Sequence, residues 1–153
     1  MRGSSGKPRV IVACIGNRFR GDDGAGHRVA ELLADVEGVE IVRAQTPVEL
    51  LNILAGDISL LVVVDAVESL SEPGAIHVFD SMDKISSVPF WRSTHTLTLP
   101  EVVGVAESLG SLPEKILVFG IEGESFEEGV GLSERVERAC RRVALEIRRL
   151  VDC

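Results

Sequence analysis

At 153 residues, 45% hydrophobic and 26% charged, the chain has the composition of an ordinary globular domain, long enough to bury a core. Its 24 acidic side chains against 16 basic ones give a net charge of −8, which argues against any general affinity for nucleic acid or anionic membrane. Cys14, Cys140 and Cys153 form no Cys-x-x-Cys pair, so neither a zinc knuckle nor a disulfide framework is indicated, and a reducing, cytoplasmic location is expected.

Met1–Lys7 reads as a polar tail without the apolar stretch of a signal peptide, and no later run approaches the length of a membrane span. Residues 8–153 then read as a single domain. From Val10 an apolar, β-branched run has the pattern of a strand buried on both faces of a parallel sheet. It stops at Gly16-Asn17, a turn pair, and Asp22 and Asp23 follow among glycines. Val29, Leu32, Leu33 and Val36 then recur at helical spacing. Val39–Arg43 is a short second strand. Thr46-Pro47-Val48-Glu49 has the residues of a capping box with proline at the first helical position. The helix it opens carries Leu50, Leu51, Ile53 and Leu54 as far as Gly56.

Leu60–Val64 is as apolar as the first strand and ends in Asp65, which predicts a central strand with a carboxylate in the loop beyond it. Ala75–Phe79 follows too soon for a crossover helix, so an antiparallel edge strand is expected. Asp80–Thr96 is a long irregular stretch with Pro89, Phe90, Trp91 and His95, and loops of that length are commonly functional. Thr98-Leu99-Pro100-Glu101 begins another helix, which Gly110 closes. Lys115–Ile121 is the last strand and runs into an acidic, glycine-rich loop, Glu122–Gly129. Ser133 caps a final helix with a stripe of Val136, Ala139, Cys140, Val143, Ile147, Leu150 and Val151. Glu134/Arg138 and Glu137/Arg141 lie at i,i+4 spacing on its solvated face. Strands alternating with helices mean an α/β domain with a mostly parallel sheet and helices on both faces.

Chemistry in such a domain collects at the carboxyl edge of the strands. Asp22/Asp23 and Asp65 stand there, and the His95 loop can fold over the same edge. Two carboxylates and an imidazole would suit an open divalent-metal site. Taken singly, Asp22 or Asp23 can equally cap the helix that follows, Asp65 can end a turn, and His95 can be a hydrogen-bonding loop residue. His27 and His77 have weaker claims. The dinucleotide fingerprint, the P-loop, the Gly-x-Ser-x-Gly elbow and His-Glu-x-x-His are all absent. The residues by themselves support an acidic cleft that can bind a metal, and no more.

The ordered set Gly16-Asn17-x-x-x-Gly21-Asp22-Asp23-Gly24-x-Gly26, Val63-Val64-Asp65-Ala66-Val67, Ser93-Thr94-His95 and Gly120-Ile121-Glu122 resembles the maturation endopeptidases of nickel–iron hydrogenases. So does the stretch Glu124-Ser125-Phe126 through Gly129 to Leu132-Ser133. The resemblance runs from Arg9 to the last helix. It implies a phosphorylase/hydrolase-like three-layer α/β/α sandwich whose five-stranded sheet has the order 2-1-3-5-4, with strand 4 antiparallel. It further implies an aspartate-type endopeptidase that removes the C-terminal extension of a hydrogenase large-subunit precursor once nickel is inserted. Asp23, Asp65 and His95 would contact that nickel, carried by the precursor, and Asn17 would fix the loop or orient the peptide. Glu122 and its acidic loop would lie at the rim. The competing reading is a non-hydrolytic nickel carrier or precursor-binding chaperone on the same scaffold.

Overall fold

The computed structural model describes residues 8–54, 56–69, 71–86 and 97–152. The tail 1–7 and the segment 87–96, with Pro89, Phe90, Trp91 and the Ser93-Thr94-His95 motif, lie outside the described residues, as does Cys153.

Five strands, β1 (Val10–Ile15), β2 (Glu40–Ala44), β3 (Leu60–Val67), β4 (Ile76–Phe79) and β5 (Lys115–Glu122), form one sheet in the order β2-β1-β3-β5-β4. β1 pairs in parallel with β2 and β3, and β3 with β5; β4 runs antiparallel at the edge beside β5. The expected order and the antiparallel edge strand are both found. Side-chain alternation divides the core. Val12, Cys14, Val62, Val64 and Phe119 face α1 (Ala25–Leu32) and α5 (Glu134–Val151). Ile11, Ala13, Ile15, Leu61, Val63 and Val118 face the opposite layer, α2 (Leu50–Ile53), α3 (Met82–Ser86) and α4 (Leu99–Ser108). Each such fully buried Val or Ile contributes about 1.5–3 kcal/mol, so the two apolar strands β1 and β3 anchor both layers.

The capping boxes at Thr46 and Thr98 are those the sequence implies. Thr98 N–H donates to Glu101 Oε1 at 2.8 Å, and Glu101 N–H returns to Thr98 Oγ1 at 3.4 Å. At Thr46 the same box opens a tighter element, a 3-10 turn over Pro47–Glu49 that becomes helical only over Leu50–Ile53. Glu49 accepts there from both the Gln45 and the Thr46 amides, at 2.8 and 2.9 Å.

Four expectations need correction. Asp65 is inside β3, not in a loop beyond it, because β5 keeps pairing to Val67↔Glu122 after β1 has stopped. The stretch from Asp80 contains a short helix, α3, whose Ile85 is buried against α4. Ser133 occupies the N-cap position of α5, yet its hydroxyl makes no cap bond and serves Asp22 instead. Leu150, expected in the buried stripe, is 43% exposed.

Candidate functional site

The chain goes from β1 outward to β2 and returns across β1 to β3, which makes the boundary between β1 and β3 the switch point of the sheet. At the carboxyl end of that boundary β1 stops at Ile15 while β3 continues through Asp65 to Val67. A 3-10 turn, Gly21–Gly24, then packs against β3 and leads into α1. The backbone comes very close here. A Cβ on Gly26 would lie 2.6 Å from the Ile15 carbonyl oxygen and 3.1 Å from that of Val64. Gly16, at φ +139°, has backbone that L side chains rarely adopt, and a Cβ on it would overlap the Asp23 carbonyl. Glycine is therefore required where the strand turns back over its own end.

Asp23 is 5% exposed, and its Oδ2 accepts from the Asn17 amide at 2.9 Å. The Asn17 side chain in turn accepts from the Phe19 amide at 2.9 Å, an Asx-type turn that shapes the loop from within. Asn17 thus fixes the loop that carries Asp23. Asp65, half-buried, accepts from the amide of Ala66 at 2.9 Å. It shares the face of Leu61, Val63 and Val67, the side on which α4 packs. The fold brings the turn bearing Asp23 and the strand bearing Asp65 to one edge of the switch point. His95 lies outside the described residues.

Asp22 has a different task. It is fully buried and accepts from Glu124 N–H (2.7 Å), Ser125 N–H (3.0 Å), Ser133 N–H (2.8 Å) and Ser133 Oγ. Its own amide donates to the Ser125 carbonyl at 2.7 Å. One carboxylate therefore sews the loop after β5 and the start of α5 to the loop after β1. It caps no helix of its own. Nothing local in the sequence marks this, because the amides that meet Asp22 lie 102 to 111 residues away.

Glu122 is not at the rim: it is 1% exposed. Its Oε2 accepts from Ser69 N–H at 2.7 Å and its Oε1 from Ser69 Oγ, while His77 Nε2 lies 3.2 Å from Oε1. A buried carboxylate is stable only when its lone pairs are met. Here the loop after β3, the edge strand β4 and the end of β5 all meet it. Glu122 thus fixes the exit of the strand that holds Asp65, a role that the weak claim of His77 gave no reason to expect.

The described thiols are not reactive groups. Burial pushes Cys14 up to about 12, and burial together with Glu137 does the same for Cys140. Among the described residues no group of three His, Cys, Asp or Glu side chains is placed to hold a metal ion. Of the three side chains expected to contact nickel, Asp23 and Asp65 are among the described residues and His95 is not.

A family model described as hydrogenase maturation protease matches residues 26–149, most of the chain. The chain belongs to the hydrogenase maturation protease family. It is 28% identical over 134 residues to the Hydrogenase 2 maturation protease of Escherichia coli K12, covering 84% of this chain and 82% of that one. Among solved structures it resembles the hydrogenase maturating endopeptidase HybD from E. coli, with a TM-score of 0.79, 26% identity and coverage of 91% and 89%. It also resembles the nickel–iron hydrogenase maturation protease HycI from Thermococcus kodakarensis KOD1, with a TM-score of 0.74, 28% identity and coverage of 97% and 96%. The protein is accordingly a peptidase, which favours the hydrolytic reading over a chaperone. No helix among the described residues is long and apolar enough to cross a membrane.

Proposed function

We propose that this protease removes the C-terminal extension of a nickel–iron hydrogenase large-subunit precursor after nickel insertion, and that Asp23, Asp65 and His95 contact the nickel the precursor carries. The observation that carries the reading is the placement of two aspartates, one after β1 and one on β3, at the carboxyl edge of the switch point. Carboxylate and imidazole are hard and borderline donors, suited to completing the coordination of a divalent ion that the precursor's own thiolates already hold. Such a site gains affinity for the precursor only when the metal is present, so cleavage reports that insertion is finished.

Hydrolysis needs a group that accepts a proton from the attacking water, and in this protease that group is one of the two carboxylates. A thiol mechanism is unsuited, because Cys14 is buried in β1 and pushed up to about 12. The Asn17 amide holds Asp23 in place while water is deprotonated. The free, buried thiols of Cys14 and Cys140 suit a reducing compartment, so the reaction is placed in the cytoplasm.

The test is intact-mass spectrometry of the cognate precursor mixed with the protease, with and without nickel loaded. Loss of a C-terminal peptide from the nickel-loaded form alone is expected. Cleavage of both forms would remove the metal checkpoint and keep the protease. An unprocessed nickel-loaded precursor would overturn the assignment of substrate.

A further inference from the structure

Between the carboxyl ends of β1 and β2 lies a cleft of about 380 Å³, lined by Asn17, Arg18, Phe19, His27, Arg43 and Glu49 among others. It shares a wall with the site around Asp23. Gly16 and Asn17 line the cleft, and the Asn17 amide donates to Asp23. The cleft thus adjoins Asp23 through Asn17.

The charge of this cleft is opposite to that of the protein. Many of the other arginines are tied to carboxylates, among them Arg9 to Glu40, Arg28 to Glu137 and Glu31, Arg141 to Glu137, Arg148 to Asp35 and Arg149 to Glu146. Arg18 and Arg43 have no carboxylate partner among the described residues, in a chain with 24 acidic side chains to offer. Arg43 Nη1 lies 3.4 Å from His27 Nδ1, and His27 Nε2 lies 2.6 Å from the Gly16 carbonyl oxygen. A guanidinium only donates, so this arrangement assigns the acceptor role to Nδ1 and the proton to Nε2. His27 thus links Arg43 to the end of β1 and brings it no negative charge. Arg18 stacks over the Phe19 ring, 5.0 Å from its centroid. Phe19 is 65% exposed although its loop is pinned on both sides: its carbonyl accepts from Gly129 N–H at 2.9 Å, and Gly21 N–H donates to the Val130 carbonyl at 3.0 Å. A large aromatic held rigidly in water beside two unpaired guanidinium groups is the composition of an interface anchor.

We propose that this cleft is the subsite that grips an acidic stretch of the precursor chain adjoining the scissile bond, with Arg43 and Arg18 pairing with its carboxylates and Phe19 covering its backbone. The inference rests on the proposed processing of a precursor and adds the chemistry by which the precursor is chosen. Charge complementarity of this kind acts on encounter and register, so its loss falls on KM more than on kcat.

The experiment measures steady-state processing of the nickel-loaded precursor by the full chain, read by intact mass at low and high salt. Arg43→Gln and Arg18→Gln should each raise KM about threefold to tenfold, the double variant more, and Phe19→Ala by a similar factor. The wild-type KM should rise with salt, and that dependence should flatten in the double variant. Arg43→Lys should recover part of the loss. Arg142→Gln, which removes an equal charge from the exposed face of α5, should leave KM and its salt dependence at wild-type values. A double variant with wild-type KM and wild-type salt response overturns the proposal. If Arg43→Gln loses its cooperative melt, Arg18→Gln, whose described contact is the Phe19 ring, decides alone. Where the wild-type protein cleaves nothing, the processing assignment itself fails. The cleft is then judged by fluorescence anisotropy of the labelled precursor, in which equal affinity for wild-type and double variant refutes it.

Discussion

Asp22 and Asp23 occupy consecutive positions of one 3-10 turn, and both are buried, yet their surroundings differ in kind. The Asp22 carboxylate faces the loop after β5 and is met by three backbone amides and a hydroxyl from two other elements. Asp23 faces back toward Gly16 and Asn17 at the switch point, where the amide that holds it belongs to its own loop. Two identical side chains thus differ in which part of the chain supplies their donors, a local loop for one and distant elements for the other. A carboxylate surrounded by long-range amides is committed to the fold. Asp23, held by an amide of its own loop, is the one proposed to meet the precursor's nickel.

The comparison is broken most directly by substitutions that keep shape and remove charge. Asp23→Asn and Asp65→Asn each retain an acceptor for the amide now bonded to them, from Asn17 and Ala66 respectively. Processing of nickel-loaded precursor should fall about 10²- to 10⁴-fold, while the urea midpoint moves by less than about 1 kcal/mol in stability. If either variant trims precursor at the wild-type rate, that residue has no part in the reaction. Asp22→Ala should do the reverse. It leaves the amides of Glu124, Ser125 and Ser133 without an acceptor and should destabilise the fold by about 3–5 kcal/mol in urea unfolding. An Asp22→Ala protein as stable as wild type would mean that the two aspartates do not differ as described.

Much of this was legible in the sequence for a physical reason. β1 and β3 are continuous apolar runs, so their burial and centrality follow from composition alone, and the capping box at Thr98 announces α4 through local hydrogen bonds. What stayed hidden depends on partners distant in the chain. Neither Asp22 nor Glu122 shows locally which loop will meet it, and Asp65 lies within a strand only because β5 extends the ladder past the end of β1. Leu150 reads as a core residue by periodicity, but it is 43% exposed while its neighbour Val151 packs against the core. Local chemistry is written in the sequence, and the choice of distant partner is not.

Glu122 sharpens the contrast at smaller amplitude. Like Asp22 it is a buried carboxylate with long-range donors, but one of them, Ser69, lies four residues beyond Asp65 on the same chain segment. Glu122→Gln keeps an acceptor and places an amide against the Ser69 N–H, at a cost of about 1–3 kcal/mol. Unlike Asp22→Ala it should also lower processing in the fraction that stays folded, because the exit of β3 loosens where Asp65 is held. The check is turnover at a temperature well below the melt of the variant. Wild-type turnover there would confine Glu122 to stability.

The smallest effect concerns the helices that the Asp22 clamp joins. Arg28 on α1 donates to Glu137 on α5 through Nε at 2.9 Å and Nη2 at 3.0 Å, and these bonds hold the Glu137 carboxyl below its ordinary value of 4.5. A folded-state value lowered in this way means that the unfolded chain binds the proton more readily. The stabilisation is therefore complete above the ordinary carboxylate range and disappears as pH falls through the lowered value. Both side chains are about 28–29% exposed, which limits the contribution to about 1 kcal/mol. Glu137→Gln should cost that amount at neutral pH, and the gap to wild type should narrow as pH falls below the ordinary carboxylate range. Asp22→Ala should cost several times more at neutral pH. A Glu137→Gln penalty that equalled it would place the junction of α1 and α5, and not the Asp22 carboxylate, at the centre of what holds the loops of the active edge together.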